Sequence, residues 1–423
     1  MTTQLKNLFR PIFPQVLINY LYHLPKSFIA SRIYGNPGRD LEIIGVTGTD
    51  GKTTTTTLIY HILKTAKKKV AMVTTVEARI GKKSIKTGFH VTSPDPWELQ
   101  KFLRMMRSQK IRYVVLEITS HGLDQFRFFP IVPKIAVLTN ITHEHLDYHK
   151  TFKDYMDAKL KLFRHATHAV VNKDLEIFPT INQRLGKVLF STYSIDQDSQ
   201  LKPSHVEYGA GYTKFRLGKV EYTVPLTGRY NLENTLAAIS TALLLDIAPT
   251  DIKKALMSFP GVKGRFEVIE NSRGLHTIVD FAHTPNAIRE VLGNVRSQMK
   301  SGQRLIVVFG SAGLRDATKR PLMGAAASDL ADEIVLTAED PRTEDPAHIA
   351  EQIRQGISKK KQKFVHIELR RQDAISLAIN ELARPGDWII VAGKGHEESM
   401  CYGTVETPWS DQDAVRNALI NKH

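Results

Sequence analysis

The sequence predicts an α/β protein with two sheet-based domains, and three observations support this fold class. From Leu41 onward, short apolar segments typical of strands alternate with amphipathic segments typical of helices, a pattern that favours a mostly parallel sheet. Residues 188–226 interrupt this alternation with short antiparallel strand patterns, and a second alternation follows the turn-forming residues 260–264. We therefore expect an N-terminal helical extension (1–40), a central domain (41–262) and a C-terminal, Rossmann-like α/β domain (263–423).

Composition limits the class of protein. The chain has 423 residues, too many for one core, and its 42% hydrophobic and 24% charged content is typical of soluble globular domains. The single cysteine, Cys401, excludes a disulfide framework and a cysteine-based zinc module, and it is consistent with a reducing cytosol. No run is long enough for a membrane-spanning helix. We expect a cytoplasmic monomer.

The net charge of +15 raises the question of nucleic acid, but the lysines are dispersed and no basic–aromatic module is present. We expect a solvated basic surface whose field favours small anionic substrates, and no nucleic-acid partner.

The N-terminal extension repeats apolar residues at helical spacing, although Pro11, Pro14 and Pro25 are expected to interrupt the helix. Two interpretations stand: a helix packed on the main body, or a contact with a membrane surface that Arg10, Lys26 and Arg32 would assist.

A glycine-rich segment, residues 45–54, follows the first predicted strand and precedes an amphipathic segment. Strand, glycine turn and helix in this order predict a phosphate-binding loop, so the central domain is of the P-loop type. Lys52 can reach the β- and γ-phosphates, and the hydroxyl of Thr53 can bind Mg²⁺. The standard pattern would have glycine at position 46, where this chain has Val46.

Two further strand ends carry candidate metal ligands. Glu117 ends the predicted strand 113–117, where ligands bind in an open α/β sheet, and it suits a Mg²⁺ near the loop. Residues 139–149 follow the next strand and contain His143, His145 and His149 beside two acids. A transition-metal site is one interpretation, and an oxygen- and nitrogen-ligated Mg²⁺ beside a nucleotide is the simpler one.

Lys159 lies on the apolar stripe of a predicted helix over residues 151–165, whereas Lys153 and Lys161 lie off it. Burial of a lysine favours its neutral, nucleophilic amine, which can react with CO₂ to give a carbamate. A lysine whose charged end extends to solvent is the alternative interpretation.

Charged or glycine-rich loops follow four predicted strands of the second domain, at residues 280–285, 311–316, 339–344 and 393–397. Each loop alone is a weak signal, but together they indicate a cleft between the two domains.

In this order, the segments resemble the Mur ligases over roughly residues 40–423. Within that family they resemble the branch that adds the third amino acid of the peptidoglycan stem. The resemblance rests on residues 47–54, 117–121, 139–149, 158–163, 228–234, 264–267, 280–285, 315–323, 340–342 and 393–397.

The resemblance implies an ATP-dependent, ADP-forming amide ligase of cell-wall synthesis. ATP would phosphorylate a substrate carboxylate, and an incoming amine would displace phosphate from the acyl phosphate, by positioning and charge neutralisation.

The resemblance also implies roles for single residues. Catalytic roles fall to Lys52, Glu117, His145 and Lys159. Two Mg²⁺ ions would be held by Thr53 and Glu117, and by His145 and a carbamate on Lys159. ATP would contact Gly48, Thr49, Asp50, Gly51, Lys52, Thr53, Thr54, Asn231, Asn234, Arg265, Asp280 and His283. The carboxylate substrate would contact Thr92, Ser93, Ser120 and Arg127, and the amino acid Arg315, Asp340, Arg342, Gly393 and Glu397.

Two features depart from the branch. Only about 40 residues precede the phosphate-binding loop, too few for the family's N-terminal uridine-binding domain. The N-terminal helix could instead hold a shorter or lipid-linked acceptor. The usual Asp-Asn-Pro-Arg motif is Glu339-Asp340-Pro341-Arg342 here. Arg342 suits a distal carboxylate, and the charge of Asp340 would favour an extra ammonium, so we expect a diamino acid.

Two other functions stay open from the residues alone. One is a Mur-like ligase that acts on a non-UDP acceptor, such as a polyamino acid, a lipid-linked compound or a cofactor. The other is a non-catalytic nucleotide-binding regulator, against which intact Lys52, Glu117, His145 and Lys159 argue.

Overall fold

The structure, a computed structural model, describes residues 14–87, 93–142, 146–186, 188–209 and 211–420. Its first elements are helical: α1 (Gln15–Ile18), a π-helical turn (Asn19–His23) and α2 (Leu24–Ile33). The expected interruption at Pro25 is wrong, because the helix continues through this residue. Pro25 has no N–H for the carbonyl four residues earlier, and the turn just before it is widened instead. Across the described residues, no helix has both the length and the apolar character needed to span a bilayer.

An eight-stranded sheet forms the first α/β unit, in the order β4-β3-β2-β5-β1-β6-β7-β8. Six strands run parallel, and β3 and β4 form an antiparallel hairpin at one edge. The strands are β1 (Glu42–Thr47), β2 (Val70–Val73), β3 (Glu77–Ile80), β4 (Lys83–Lys86), β5 (Tyr113–Glu117), β6 (Ile135–Leu138), β7 (His168–Asn172) and β8 (Leu189–Tyr193).

Helices cover both faces of this sheet because alternate strand residues point to opposite faces. Ile44 and Val46 of β1 contribute to one core together with helices α3, α9 and α10, whereas Ile43 contributes to the other core, with α4 and α7. The helices are α3 (Lys52–Thr65), α4 (Pro96–Ser108), α5 (Ser120–Asp124), α6 (Leu146–His149), α7 (Phe152–Leu160), α8 (Phe178–Leu185), α9 (Arg229–Leu243) and α10 (Pro249–Met257).

Residues 188–226 contain both kinds of strand. The predicted antiparallel strands form a three-stranded sheet of β9 (Ser204–Gly209), β10 (Tyr212–Leu217) and β11 (Val220–Val224). However, β8 extends the parallel sheet by pairing with β7. The sequence pattern does not predict β8, because this edge strand is only partly buried and lacks a continuous apolar run.

A six-stranded sheet forms the second α/β unit, in the order β12-β13-β17-β14-β15-β16, with only β12 antiparallel within it. Its strands are β12 (Glu267–Ile269), β13 (His276–Asp280), β14 (Leu305–Phe309), β15 (Glu333–Leu336), β16 (Val365–Ile367) and β17 (Trp388–Ala392). A two-stranded hairpin, β18 (Ser399–Tyr402) and β19 (Val405–Pro408), follows. The helices are α11 (Pro285–Gln298), α12 (Lys319–Leu330), α13 (Pro346–Arg354), α14 (Arg371–Ser376) and α15 (Asp411–Ile420). The predicted α/β class is thus confirmed.

Candidate active site

A cleft of about 440 Å³ lies between the carboxyl ends of the two parallel sheets. The predicted site residues in its lining are Thr49, Asp50, Gly51, Lys52, Thr53, Thr54, Glu117, Asn231, Asn234, Arg265, Asp280, His283, Arg315, Asp340, Arg342, Gly393 and Glu397. The lining does not include the predicted residues Gly48, Ser93, Ser120, Arg127 and Lys159. The predictions for Thr92 and His145 fall outside the described residues.

The glycine-rich loop connects β1 to α3 at the floor of this cleft. Gly51 has a φ of +79°, and a Cβ there would collide with the side chain of Asn234, so glycine is required. Asn140, at the end of the neighbouring β6, accepts hydrogen bonds at Oδ1 from the backbone N–H groups of Thr49 (3.1 Å) and Asp50 (2.8 Å). The first N–H groups of α3 have no acceptor within their own helix, and they provide an anion site.

Thr53 and Glu117 form the buried oxygen cluster of the loop. The Thr53 hydroxyl donates to Glu117, which also accepts the backbone N–H of Thr75 at 3.1 Å. The Arg265 guanidinium, from the second unit, reaches Thr53 Oγ1 at 3.3 Å. The Lys52 ammonium donates a hydrogen bond to the Thr49 carbonyl at 2.7 Å. Carboxylate and hydroxyl oxygens are the donors that Mg²⁺ prefers, so these residues fit the predicted ion.

Lys159 is buried at 2% exposure, and its Nζ donates to the Gly48 carbonyl at 2.6 Å. The ring of Tyr155 lies below it, with Nζ 4.4 Å from the centroid. The amine therefore does not extend to solvent, and it lies against the backbone of the glycine-rich loop. The predicted helix 151–165 is shorter than expected, because α7 ends at Leu160 and a 3₁₀ turn (Lys161–Phe163) follows.

The histidine-rich segment is only partly described, and His143 and His145 lie outside the described residues. His149 hydrogen-bonds Ser120 Oγ at 3.0 Å and packs against the ring of His121. Burial lowers the pKa of His149 to about 4. Within the described ranges, no group of three or more His, Cys, Asp or Glu residues could hold a metal ion.

The predicted nucleotide residues come from both units. Asn234 accepts from the Thr55 hydroxyl at 3.2 Å, and Asn231 donates to the Thr227 carbonyl at 2.9 Å. Burial raises the pKa of Asp280, whose carboxylate accepts two backbone N–H groups at 2.6 and 2.7 Å. Across the cleft, the Asn286 side chain donates to Asp50 Oδ2 at 3.2 Å, which links α11 directly to the loop.

The predicted acceptor residues cluster beside the cleft. Ser93 Oγ lies 2.7 Å from the Thr119 hydroxyl, and Arg127 donates to the Ser93 carbonyl at 2.8 Å. Burial lowers the pKa of Arg127. Thr119 itself lines the cleft. Ser93 is therefore separated from the cleft by Thr119, and Arg127 lies behind Ser93.

In the predicted amino-acid pocket, a buried lysine pairs with the two acids, an arrangement that the sequence does not reveal. Asp340 accepts from Lys394 Nζ at 2.9 Å and from the Cys401 backbone N–H at 2.9 Å, and Lys394 also contacts Glu397. Lys394 is 1% exposed. Burial opposes its charge, but Glu397 and Asp340 raise its pKa above the usual range. Asp340 therefore already has a cationic partner, and the charge expected to attract a substrate ammonium is shared with Lys394.

Two lining residues, Glu233 and Glu290, carry no motif that reveals them in the sequence, and a third acid, Glu339, lines the cleft with them from the predicted loop 339–344. Glu233 on α9 and Glu290 on α11 line the cleft, and burial raises the pKa of Glu233 to about 7 and also raises that of Glu290. Glu339 is buried with a raised pKa, and among the described residues its Oε2 has no hydrogen-bond partner. Glu233 and Glu290 are half-buried on helices that line the cleft, a position that helical spacing in the sequence does not reveal.

Comparison with known proteins gives the family. The Mur ligase middle domain matches residues 46–242, and the Mur ligase glutamate ligase domain matches residues 264–395. The chain is 39% identical over 379 residues (88% of it, 76% of the relative) to UDP-N-acetylmuramoyl-L-alanyl-D-glutamate–2,6-diaminopimelate ligase of Clostridium botulinum. It is 38% identical over 395 residues (92% and 80%) to the protein of the same name from Aquifex aeolicus.

Solved structures agree. A structure of a UDP-N-acetylmuramoyl-L-alanyl-D-glutamate–2,6-diaminopimelate ligase is 30% identical, with a TM-score of 0.63 over 95% of this chain and 82% of that one. The MurF ligase of Thermotoga maritima, in complex with ADP, shares the fold at 18% identity, with a TM-score of 0.69 over 93% and 83%. The regulator alternative is therefore set aside: the chain belongs to the Mur ligase family and is an ATP-dependent, ADP-forming amide ligase.

Proposed function

We propose that this ligase adds a diamino acid of the 2,6-diaminopimelate class to a muramoyl dipeptide carboxylate in the cytoplasm, as the third-residue-adding member of its family. The observation that carries this proposal is the 35–39% identity to several ligases named for that reaction. We also propose the boundaries 1–40, 41–262 and 263–423 for its three parts, and a monomer as the working unit.

Chemistry begins at the phosphate-binding loop. Lys52 and the N-terminus of α3 would hold the β- and γ-phosphates, and Thr53 with Glu117 would hold one Mg²⁺. His145 and a carbamate on Lys159 would hold a second. Bound Mg²⁺ supplies charge neutralisation for phosphoryl transfer. The acceptor carboxylate, held near Ser93, Ser120 and Arg127, attacks the γ-phosphorus, and ADP leaves with the broken bond's electron pair.

A carbamate on Lys159 is supported by the position of its amine. Burial removes the hydration that favours an ammonium, and the Tyr155 ring and the Gly48 carbonyl enclose Nζ. In the reaction, neutral Nζ attacks the carbon of CO₂ and forms an N–C bond. The electron pair of one C–O π bond moves to its oxygen, which gives the carboxylate, and one N–H proton passes to solvent. The product carries a negative charge beside the loop, which would suit a cation.

The amino acid would bind among Arg315, Arg342, Asp340, Gly393 and Glu397. Arg342 donates to the Gly313 carbonyl at 2.6 Å, a contact that fixes the orientation of its planar guanidinium. A fixed guanidinium can bind a distal carboxylate of the substrate by two parallel hydrogen bonds. Lysine has no distal carboxylate and cannot make this contact. Glu397 and Asp340, with Lys394 between them, provide acceptors for ammonium groups. The incoming amine displaces phosphate and forms the amide.

A phosphate-release screen tests the function. ATP and Mg²⁺ are supplied with UDP-linked, sugar-only and lipid-linked muramoyl dipeptides, each crossed with meso-diaminopimelate, L-lysine, L-ornithine and D-alanine. We expect release that requires both a muramoyl dipeptide and diaminopimelate. Release with a non-muramoyl acceptor would overturn the acceptor, and equal release with L-lysine would overturn the amino acid. The Arg342→Ala protein should lose diaminopimelate turnover far more than lysine turnover, and equal losses would contradict the role of Arg342.

A further inference from the structure

The N-terminal helical segment, residues 15–33, has its apolar side chains on the outside. Val16, Leu21 and Ile33 are 65%, 70% and 63% exposed, whereas the buried positions of the segment are the small or polar residues Asn19, Ser27, Ala30 and Ser31. A surface helix of a globular protein normally shows the reverse arrangement. The outer face is therefore built to contact something other than water.

Specific contacts fix this orientation. Asn19 Nδ2 donates to Asp124 Oδ2 at 2.7 Å, and Lys26 forms an ion pair with Asp95 at the start of α4. Ser27 and Ser31 satisfy their hydroxyls on the helix's own backbone, at 3.0 and 2.8 Å. The polar side of the segment is thus the side that contacts the rest of the protein.

The apolar surface continues beyond the helix. The Phe28 ring lies 6.5 Å from that of Phe129, and Val132 nearby is 56% exposed. We call this surface the outer apolar face; it consists of Val16, Leu17, Tyr20, Leu21, Phe28, Ile29, Ile33, Phe129 and Val132, each at least 38% exposed. Exposed apolar residues that form a contiguous patch, rather than scattered singles, mark an interaction surface.

Charge identifies the kind of surface that this face fits. Residues 1–39 contain no Asp or Glu, and Asp40 is the first acid of the chain. Arg32 lies at the edge of the face, with its guanidinium 5.0 Å from the Phe28 ring, and Arg39, six residues after Ile33, is exposed. The whole chain carries a formal charge of +15. A patch with apolar residues at its centre and basic residues at its edge complements an anionic bilayer.

We propose that the outer apolar face docks on the surface of an anionic lipid bilayer, with the helical segment lying in the plane of the membrane interface. The apolar side chains enter the boundary between headgroups and acyl chains, and Arg32 and Arg39 pair with lipid phosphates. This surface is separate from the cleft, although Asn19 joins it to α5 through Asp124. Docking would therefore hold the acceptor side of the enzyme near the membrane, and it does not depend on the proposed substrate.

Vesicle co-sedimentation tests the proposal with the full chain. The vesicles contain either phosphatidylglycerol mixed with phosphatidylcholine, or phosphatidylcholine alone. We expect binding to the anionic vesicles only, weakened as NaCl rises from 0.05 to 0.5 M. The Leu21→Glu variant should bind roughly tenfold more weakly or worse, because a charge replaces an inserted side chain. Met257→Glu, at a 61% exposed site on α10, should bind like the unmodified protein.

Circular dichroism and ATP-dependent ligation should be the same for Leu21→Glu and the unmodified protein, since the substitution lies outside the cleft. Equal binding to both vesicle types, binding that Leu21→Glu does not weaken, or no binding at all would each overturn the proposal. So would analytical ultracentrifugation that finds a dimer which Leu21→Glu dissociates, because the occupant of the face would then be a second copy of this chain.

Discussion

The hydroxyl of Thr53 lies within hydrogen-bond distance of both carboxylate oxygens of Glu117, at 2.9 Å from Oε1 and 3.0 Å from Oε2. Thr53 is the second residue of α3, directly after the glycine-rich loop, and Glu117 ends β5, the strand next to β1 in the sheet. Both side chains are 3% exposed. We expect such a buried carboxylate, with both oxygens beside a hydroxyl of the glycine-rich loop, to share a hard cation with that hydroxyl.

Replacing Glu117 with Gln should therefore remove the charge that holds this cation, with little effect on the fold. The amide oxygen can still accept the Thr75 N–H. Loss of a metal ligand's charge costs several kcal/mol of transition-state stabilisation, so kcat/KM should fall by about 10²-fold or more, with a higher Mg²⁺ requirement. Steady-state phosphate release at varied Mg²⁺ measures both.

Glu42→Gln provides the matched control, because Glu42 begins β1 at the opposite end of the sheet, where it pairs with Arg112 and Lys134. Activity within twofold of the unmodified protein is expected there. If Glu117→Gln kept its activity and its Mg²⁺ dependence, Glu117 would not be a metal ligand.

Carbamate formation on Lys159 predicts a dependence on CO₂. Protein prepared in CO₂-depleted buffer should lose ligation, and bicarbonate should restore it. ¹³C-bicarbonate should give a carbamate resonance that is absent from Lys159→Ala. Lys153, exposed on the same helix, supplies the control variant Lys153→Ala, which should keep both signal and activity. A normal resonance in Lys159→Ala would contradict this assignment.

Arg371 should act as a positioning residue for the amino-acid pocket. Buried beside Asp411, it donates to the carbonyls of Ala338 (3.4 Å) and Ala392 (2.8 Å), the residues just before Glu339 and Gly393. Arg371→Lys keeps the charge but cannot span both carbonyls. We expect the KM for the amino acid to rise roughly tenfold, as loss of a charged hydrogen bond predicts, with the KM for ATP unchanged.

Arg304 forms an ion pair with the buried Asp387 at the amino end of the same sheet and away from the cleft, although Arg304 itself is only half-buried. Arg304→Lys should lower the unfolding temperature, as we also expect for Arg371→Lys. It should not change the KM for the amino acid. A similar rise in that KM for both variants would reduce the role of Arg371 to general stability.

The stability of the protein should fall in mild acid because of His396. Burial, followed by Arg265 and Lys263, lowers its native pKa to about 3, against an unfolded value near 6.5. Above pH 6.5 neither state binds the proton. Between pH 6.5 and about 3, only the unfolded chain does, so the free energy of unfolding decreases as pH falls, by at most about 1.4 kcal/mol per pH unit.

Urea denaturation at pH 4, 5, 6 and 7 measures this slope. In the His396→Gln protein, the free energy of unfolding should depend less on pH, because one fewer proton is taken up on unfolding. The control His205→Gln, at an exposed position, should match the unmodified protein. Parallel curves for His396→Gln and the unmodified protein would show that His396 does not carry the effect.

Some features of the candidate site were predictable because the residues of each feature are neighbours in the sequence. Strand, glycine turn, Lys52 and Thr53 stand together, and Glu117 ends a continuous apolar strand. The stripe position of Lys159 was visible in helical spacing. Its contact with the Gly48 carbonyl was not, because a stripe identifies a buried side of a helix without naming what covers it.

Sequence by itself determined the α/β class, the glycine-rich turn between the first strand and its helix, and the alternation that aligns strand ends, since periodicity and turn chemistry act over a few residues. Only the tertiary structure decided which distant segments support one another. Asn140 accepts hydrogen bonds from a loop about ninety residues earlier in the chain, Lys394 pairs with Asp340, and Glu233 and Glu290 line the same cleft from different units. These relationships depend on strand order and on the way the two α/β units face each other across the cleft, which no local pattern encodes.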